Sequence, residues 1–478
     1  MATTEMWNAA SMAFALCPLL TQGAIELLTA HGSAAQKARY LAKLVSGEWS
    51  GTMCLTEPQA GTDLGAVRTR AEPAGAGWRL RGTKVFTTYG DHDIAANIVH
   101  MVLARTPDAP PGVKGLSLFL VPKLLPDAAG RPGARNEVRA VSLERKLGIH
   151  GSPTAVMAFG DAEGARAELV GARHGGLGAM FTMMNNARLA VGVQGLAVAE
   201  RAFQRALAYA RERRQGHRLG DHAPARLIDH PDVRRMLMTI KAHTETMRAL
   251  VARVGVAIDV ARRHPDDETR ARAGRRVALL TPVVKAHCTE TGFALASEAL
   301  QVHGGAGYIE ETGAAQPLRD ARIAMIYEGT NGVQALDLVR RKLIADDGLA
   351  VAEFLAEIAD VGRRLAAAGP AVAGLRRALA AAAGALAGAS EWLHRTWAED
   401  PERAAAGATE YARMFGLVAC GREAAEMALA ALGHDDPFHR AKVMTARFYG
   451  ERALPLVTPL RTLVEAGGES FGALDTGA

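Results

Sequence analysis

The middle of the chain constrains it most. Between residues 51 and 170, glycine and proline become frequent and short β-rich runs appear at 78–81, 84–88, 98–105, 116–121 and 155–159. Strands this short and evenly spaced, without helices between them, predict an antiparallel sandwich or small barrel. Arg81-Gly82-Thr83 reads as a turn between the first two runs, and 107–115 as a loop. Both flanks are helical. Before the β region, Met12, Phe14, Ala15 and Leu19 share one face, continued by Ala24, Leu27 and Leu28. His31-Gly32-Ser33 marks a stop and a new cap, ahead of a short helix from Gln36. After it, helical patterns run from Arg188 to Arg214, onward from Asp232, and from about Ala273 to Leu300. Met236 and Met238 on the second of these read as core fillers. Residues 350–478 are alanine-rich, with Trp392, Trp397, Tyr411, Met414, Phe415 and Phe448 to supply a core. The expected class is α+β, mostly α, divided as 1–50, 51–170, 171–345 and 350–478.

Composition narrows the function. The chain has 478 residues, 49% hydrophobic but only 5% aromatic, which suits a large helix-rich protein. A net charge of +6 permits a weak preference for anionic ligands. With no block of five or six basic residues, and acidic residues slightly in excess after 350, nucleic acid is not an expected partner. Cys17, Cys54, Cys288 and Cys420 form no CxxC pair, so neither zinc nor a disulfide framework is indicated. Reduced thiols and the lack of a signal-peptide pattern point to the cytoplasm. No apolar run reaches the roughly 18 residues of a membrane span. His150 has no second ligand at metal spacing, so no metal is expected.

Chemistry concentrates in Arg319-Asp320-Ala321-Arg322-Ile323-Ala324-Met325-Ile326-Tyr327-Glu328-Gly329-Thr330-Asn331-Gly332. A helix-like run ends at Ile326-Tyr327, a carboxylate follows at once, and then come turn formers. Leu336, Leu338 and Val339 resume a helical period, so Glu328 sits at a helix-to-helix junction. A glutamate in a turn is ordinarily solvated. Flanked by apolar residues, it loses hydration and becomes a usable base near neutral pH.

This segment resembles the active-site segment of the acyl-CoA dehydrogenase family, and four other motifs resemble that family in the same order. Cys54-Leu55-Thr56-Glu57-Pro58-Gln59-Ala60-Gly61-Thr62-Asp63 is similar to its flavin- and substrate-binding loop. Lys84-Val85-Phe86-Thr87-Thr88-Tyr89-Gly90 is similar to its flavin-contacting strand, with Phe86 where tryptophan is common. Met184-Asn185-Asn186-Ala187-Arg188 resembles a substrate contact, with Asn185 replacing a common acidic residue. Gln301-Val302-His303-Gly304-Gly305-Ala306-Gly307-Tyr308 resembles a flavin-binding turn; it follows a helix, so it fails the context of a Rossmann loop.

The resemblance implies an FAD-dependent enzyme that converts an acyl-CoA thioester to the trans-2-enoyl-CoA and passes electrons to an electron-transfer flavoprotein. It implies Glu328 as the base. It implies flavin contacts from Thr56, Phe86, Thr87, Thr88, Thr330 and Asn331, with Thr88 at flavin N5. Arg213, Gln301, Gly304 and Gly305 would reach the flavin of a neighbouring subunit, hence a homodimer or homotetramer. Thr62, Asn185, Arg188 and Gly329 would contact substrate. The implied fold is a truncated N-terminal helical domain, an antiparallel β domain, a four-helix bundle with the base, and an additional C-terminal helical domain. That appendage marks the long-form branch, which includes 3-methylthiopropanoyl-CoA dehydrogenases, so the acyl group is expected to be 3-methylthiopropanoyl or a fatty chain. The alternatives on this fold are an acyl-CoA oxidase and a non-enzymatic DNA-alkylation-response flavoprotein. The mildly acidic C-terminal region argues against the second.

Overall fold

The computed structural model describes residues 1–471. They form two compact units: Ser11–Ala190, and Met1–Ala10 together with everything from Val191 on. The first helix, α1 (Ala2–His31), passes from one unit to the other at Ser11, where the backbone is extended (φ −158°, ψ 98°).

In the first unit α1 ends at Gly32, and Ser33 starts α2 (Ala34–Gln36) with a capping box. The Ser33 hydroxyl accepts from the Gln36 amide, and the Gln36 side chain accepts from the Ser33 amide. A turn of π-helix leads on to α3 (Ala42–Val45). Ten strands follow: β1 (Trp49–Cys54), β2 (Arg70–Ala74), β3 (Gly77–Thr88), β4 (Asn97–Arg105), β5 (Leu116–Pro122), β6 (Leu124–Pro126), β7 (Pro132–Arg135), β8 (Val138–Leu143), β9 (Thr154–Phe159) and β10 (Ala165–Val170). The main sheet runs β1-β4-β5-β10-β3-β9-β8, with β2 beside β3. It is antiparallel along this path apart from β1, which pairs with β4 in parallel, Trp49 opposite Asn97. β6 and β7 form a separate ribbon.

β4 is buried on both faces, which is why 98–105 reads as a run without alternation. Met101 and Leu103 face a core shared with Leu20, Ala24, Leu27 and Leu28 of α1. Val102 and Ala104 face a second core with Leu80, Phe119 and Phe159. Burying a leucine such as Leu27 or Leu28 contributes about 1.5–3 kcal/mol.

Two expectations need correction here. Residues 78–81 and 84–88 are one strand, β3, and Gly82 is not in a turn. A Cβ on Gly82 would lie 2.5 Å from Thr69 Oγ1, so glycine is required by close approach. At this residue β3 changes partner: Leu80 pairs with Ala165 of β10, and Gly82 with Phe159 of β9. Two helical stretches, Ala2–His31 and Pro370–Glu399, do reach spanning length and hydropathy. Most of the first is buried inside the protein, and such helices are common in globular cores.

The second unit continues α4 (Gly176–Glu212), which starts before the residue the pattern suggested. A small hairpin, β11 (Arg214–His217) and β12 (Pro224–Arg226), interrupts the helices. Then come α5 (Pro231–Arg263), α6 (Asp267–Val302), α7 (Ala315–Ala321) and α8 (Asn331–Asp337). The C-terminal helices are α9 (Leu349–Ala367), α10 (Ala373–Glu399), α11 (Pro401–Ala406), α12 (Ala408–Ala431), α13 (Pro437–Arg452) and α14 (Val457–Glu465). Tyr411, Met414 and Phe415 are fully buried on α12; Trp392, Trp397 and Phe448 are only half-buried. Arg253 of α5 bonds both Glu357 of α9 and Glu423 of α12, tying these helices to the bundle.

α4 and α6 meet backbone to backbone. A Cβ on Gly195 would lie 2.2 Å from the Cys288 carbonyl, and one on Gly292 would lie 2.3 Å from the Gly195 carbonyl. Neither backbone can retreat without separating the helices. Gly195→Ala is therefore expected to destabilise by at least the roughly 1–3 kcal/mol of overpacking. Thermal unfolding checks this; an unchanged midpoint would mean that the helices do not meet there.

Candidate active site

In the first unit, the loop after β1 is built around one carboxylate. Glu57 is almost fully buried and accepts from Lys84 Nζ (2.8 Å), the Arg68 amide (2.7 Å), the Thr69 amide (3.0 Å) and Gln59 Nε2 (2.6 Å). Lys84, from β3 and with no exposed surface, also donates to the Leu55 carbonyl (2.9 Å). Burial opposes the charge on Glu57, but the Lys84 ammonium and these hydrogen bonds outweigh it and hold the carboxyl near 2. Burial pushes the Lys84 ammonium down, opposed by Glu57. Thr56 and Thr62 ride on the loop that this pair fixes, Thr56 half-buried and Thr62 exposed. The sequence reading passed over both charges, since nothing local links positions so far apart.

β3 ends in a bulge, with a register shift between Lys84 and Thr87. Phe86 and Tyr89 both take left-handed backbone (φ 58° and 51°), which turns Phe86 outward. Thr88 is half-buried. The Thr87 side chain is buried, and its hydroxyl donates to Cys54 Sγ at 3.9 Å. The bulge forces this inward orientation. On α4, Asn185 is exposed and accepts from the buried Arg188 guanidinium (3.3 Å), which also lies over the Phe181 ring.

In the second unit, α7 passes through a 3-10 turn, Arg322–Met325, into the segment that carries Glu328. Glu328 and Gly329 are left-handed (φ 57° and 83°), and Glu328 is half-buried. The neighbouring side chains hold this turn. The Tyr327 hydroxyl donates to Gln194 Oε1 of α4, and Gln334 Nε2 of α8 donates to the Glu328 carbonyl at 3.3 Å. Burial and the Glu328 charge push the Tyr327 phenol well up, so it stays neutral. Thr330 caps α8, accepting from the Val333 amide. Asn331 accepts from Lys285 Nζ (2.9 Å) and Thr289 Oγ1 (3.2 Å) and donates to the Ala286 carbonyl. Both side chains, expected on a cofactor, are thus engaged in the turn itself.

Arg213, Gln301, Gly304 and Gly305 are all exposed. Gly304 is left-handed (φ 57°), and a Cβ on either glycine would meet open space. Tyr308, beyond them, is 84% exposed. The structure thus gathers Glu328, Gly329, Thr330 and Asn331 on one turn, and leaves the glycine turn and Arg213 open at the surface of the same unit. Gln194, Lys285 and Gln334 went unread, because each lies on a helix whose pattern shows only amphipathicity.

Three family models match the chain: "Acyl-CoA dehydrogenase, middle domain" at 52–162, "Acyl-CoA dehydrogenase, C-terminal domain" at 174–343, and "Acetyl-CoA dehydrogenase C-terminal like" at 351–475. The chain is 48% identical to the 3-methylmercaptopropionyl-CoA dehydrogenase of Ruegeria pomeroyi, covering 100% of this chain and 80% of the relative. It is 34% identical to a butyryl-CoA dehydrogenase of Syntrophomonas wolfei, covering 94% and 77%. Among solved structures, the acyl-CoA dehydrogenase of Bacillus anthracis complexed with FAD superposes with a TM-score of 0.77 at 21% identity, covering 96% of this chain and 76% of that one. ACDH-11 of Caenorhabditis elegans in complex with C11-CoA gives 0.75 at 23%, with the same coverage. These two show the fold alone.

The Glu57–Lys84 pair makes a pH-dependent contribution. The Glu57 carboxyl falls from the usual 4.5 to about 2, so its stabilisation is complete above pH 4.5 and lost as pH falls through about 2. Urea unfolding should show the wild type losing stability more steeply across this window than Glu57→Gln. At neutral pH, Lys84→Met should cost about 3–5 kcal/mol, because it leaves the carboxylate buried without its partner. Parallel pH profiles for wild type and Glu57→Gln would contradict this.

Proposed function

Because the chain belongs to the acyl-CoA dehydrogenase family, we propose that it oxidises short acyl-CoA thioesters at the α,β bond, with Glu328 as the base and FAD as the cofactor. The observation that carries this reading is Glu328 itself. It is a half-buried carboxylate on a left-handed residue, fixed from both sides by Tyr327 and Gln334, in a chain alike along its length to a named dehydrogenase.

The residues present fit a flavin. The glycine turn at Gly304 and Gly305 is open and free of side chains, and Arg213 offers an exposed guanidinium suited to a diphosphate. Thr56 and Thr88 are the flavin-contacting threonines of the first unit, and Phe86 supplies an exposed ring. When bound, FAD supplies the acceptor for the hydride that leaves the β-carbon. Glu328 takes the α-proton as the thioester oxygen gains negative charge, and its own main-chain N–H is the protein donor for that oxygen. Thr62, Asn185, Arg188 and Gly329 are assigned to the substrate. The similarity to the Ruegeria enzyme favours 3-methylthiopropanoyl-CoA, and that to the Syntrophomonas enzyme favours butyryl-CoA. We assign an electron-transfer flavoprotein as electron acceptor, a homodimer or homotetramer completed through Arg213, Gln301, Gly304 and Gly305, and a cytoplasmic location.

Glu328→Gln keeps size and hydrogen bonding but removes the base. FAD should remain bound, while anaerobic bleaching by butyryl-CoA or 3-methylthiopropanoyl-CoA slows by roughly 10²–10⁴-fold. Near-normal reduction would refute the assignment. Rapid reoxidation of the reduced wild type by dioxygen would turn the reading toward an oxidase.

Arg213→Ala should lower FAD occupancy, measured as the ratio of flavin to protein absorbance. Sedimentation of the wild type should show an oligomer; an FAD-saturated monomer would contradict the shared site.

A further inference from the structure

Glu328 occupies backbone that a non-glycine residue seldom takes, so something must hold it there (φ 57°). On the C-terminal side, Gln334 bonds the Glu328 carbonyl, and Asn331 is fixed by Lys285 and Thr289. On the N-terminal side, the Tyr327 and Ile326 amides donate to the Ile323 carbonyl (3.1 and 2.8 Å), and the Tyr327 hydroxyl, donating to Gln194 Oε1, ties the turn to α4. Gln194 has no exposed surface. It sits between Gly192 and Gly195, where α4 lies directly against the α6 backbone. A Cβ at Gly192 would meet Val284 at 2.5 Å, and one at Gly195 the Cys288 carbonyl at 2.2 Å. Gln194 is therefore carried on a closely packed stretch of its helix, which leaves it little room to follow a turn that drifts.

We infer that Gln194 is a positioning residue for the reaction, acting through the Tyr327 hydroxyl to fix the Glu328 carboxylate in register with the substrate α-carbon. The inference rests on Glu328 as the base. It adds a residue from α4 that belongs to none of the five motifs. The amide suits the task. Its oxygen accepts from a phenol that burial keeps protonated, so the bond persists across the working pH range. A carboxylate at the same place would put a second negative charge near the base. A leucine would leave the Tyr327 hydroxyl buried without an acceptor. The Nε2 of Gln194 is buried and has no hydrogen-bond partner among the described residues, so they orient the side chain through its oxygen.

The test uses the flavin-loaded enzyme with Gln194→Leu, Tyr327→Phe and the double variant. Each is reduced anaerobically by butyryl-CoA in a stopped-flow spectrometer, and the rate is expressed per bound flavin. A misplacement of a base by a fraction of an ångström should slow reduction by roughly 10-fold. The dissociation constant for butyryl-CoA should stay within about twofold, since no group is removed from the substrate's own contacts. The double variant should be no slower than the slower single one, because both changes break the same bond. A merely structural role would lower the melting temperature or FAD content and leave the rate per bound flavin unchanged; that result overturns the inference. So does full additivity of the two changes. Tyr327→Phe deletes only a hydroxyl, and so reads the same bond should Gln194→Leu fold poorly. Glu328→Gln is the control. If it is inactive while Tyr327→Phe reduces at the wild-type rate, the positioning role fails and the base stands. If it reduces normally, the base assignment fails, and this inference with it.

Discussion

The second unit depends on how closely α4 and α6 can approach. Gly195 and Gly292 bring the two backbones into contact, and Gly192 makes room for the Val284 side chain. Any larger residue would widen the gap by the thickness of a methyl group or more. That spacing has a chemical use, because the side chains beside the glycines then reach the turn between α7 and α8. Gln194 comes from one helix, and Lys285 and Thr289 from the other. A left-handed glutamate is unfavourable by itself, on the order of 1–3 kcal/mol. It persists because several hydrogen bonds from rigid helices over-determine it. Packing that looks purely structural thus sets the position of the Glu328 turn.

The first unit meets a comparable problem with charge. Its loop after β1 carries Thr56 and Thr62 on backbone with little secondary structure of its own. The solution is a buried ion pair, Glu57 with Lys84, in which the carboxylate also takes two main-chain amides. A pair of this kind gives little net stability compared with apolar residues of the same size. What it supplies is geometry: Glu57 reads the backbone of the returning loop, while Lys84 reads the carbonyl of Leu55 and anchors both to β3. Breaking either partner strands the other.

Much of this fold was legible from pattern. The helix–sheet–helix order, the stop at Gly32 with its Ser33 cap, and the junction at Glu328 all follow from local chemistry, and each has its expected place. Pattern failed where a residue answers to something distant. Gly82 reads as a turn because glycine usually marks one, yet it is glycine because Thr69 passes close by. β1 was missed because its serine, glycine and threonine lack the signature of a strand, though it is almost wholly buried beside β4. Glu57, Lys84, Gln194 and Lys285 act across the fold through hydrogen bonds that no period in the sequence encodes.

The same distinction applies inside the motifs. Thr87, Thr330 and Asn331 stand in segments whose resemblance suggested contacts to a cofactor, but their side chains serve the protein. Thr87 turns inward onto Cys54, Thr330 caps α8, and Asn331 joins α6 to the turn. A helix cap contributes about 1 kcal/mol, and a buried amide network costs more than that when broken. These bonds shape the backbone of both segments. A short motif can therefore contain residues whose hydrogen bonds hold the backbone in a shape it would otherwise leave. Tyr327, Thr330 and Asn331, on either side of Glu328, hold backbone in this way. In the proposed reading the chemistry rests on one carboxylate, Glu328, and the bonds of the segment around it keep its turn in place.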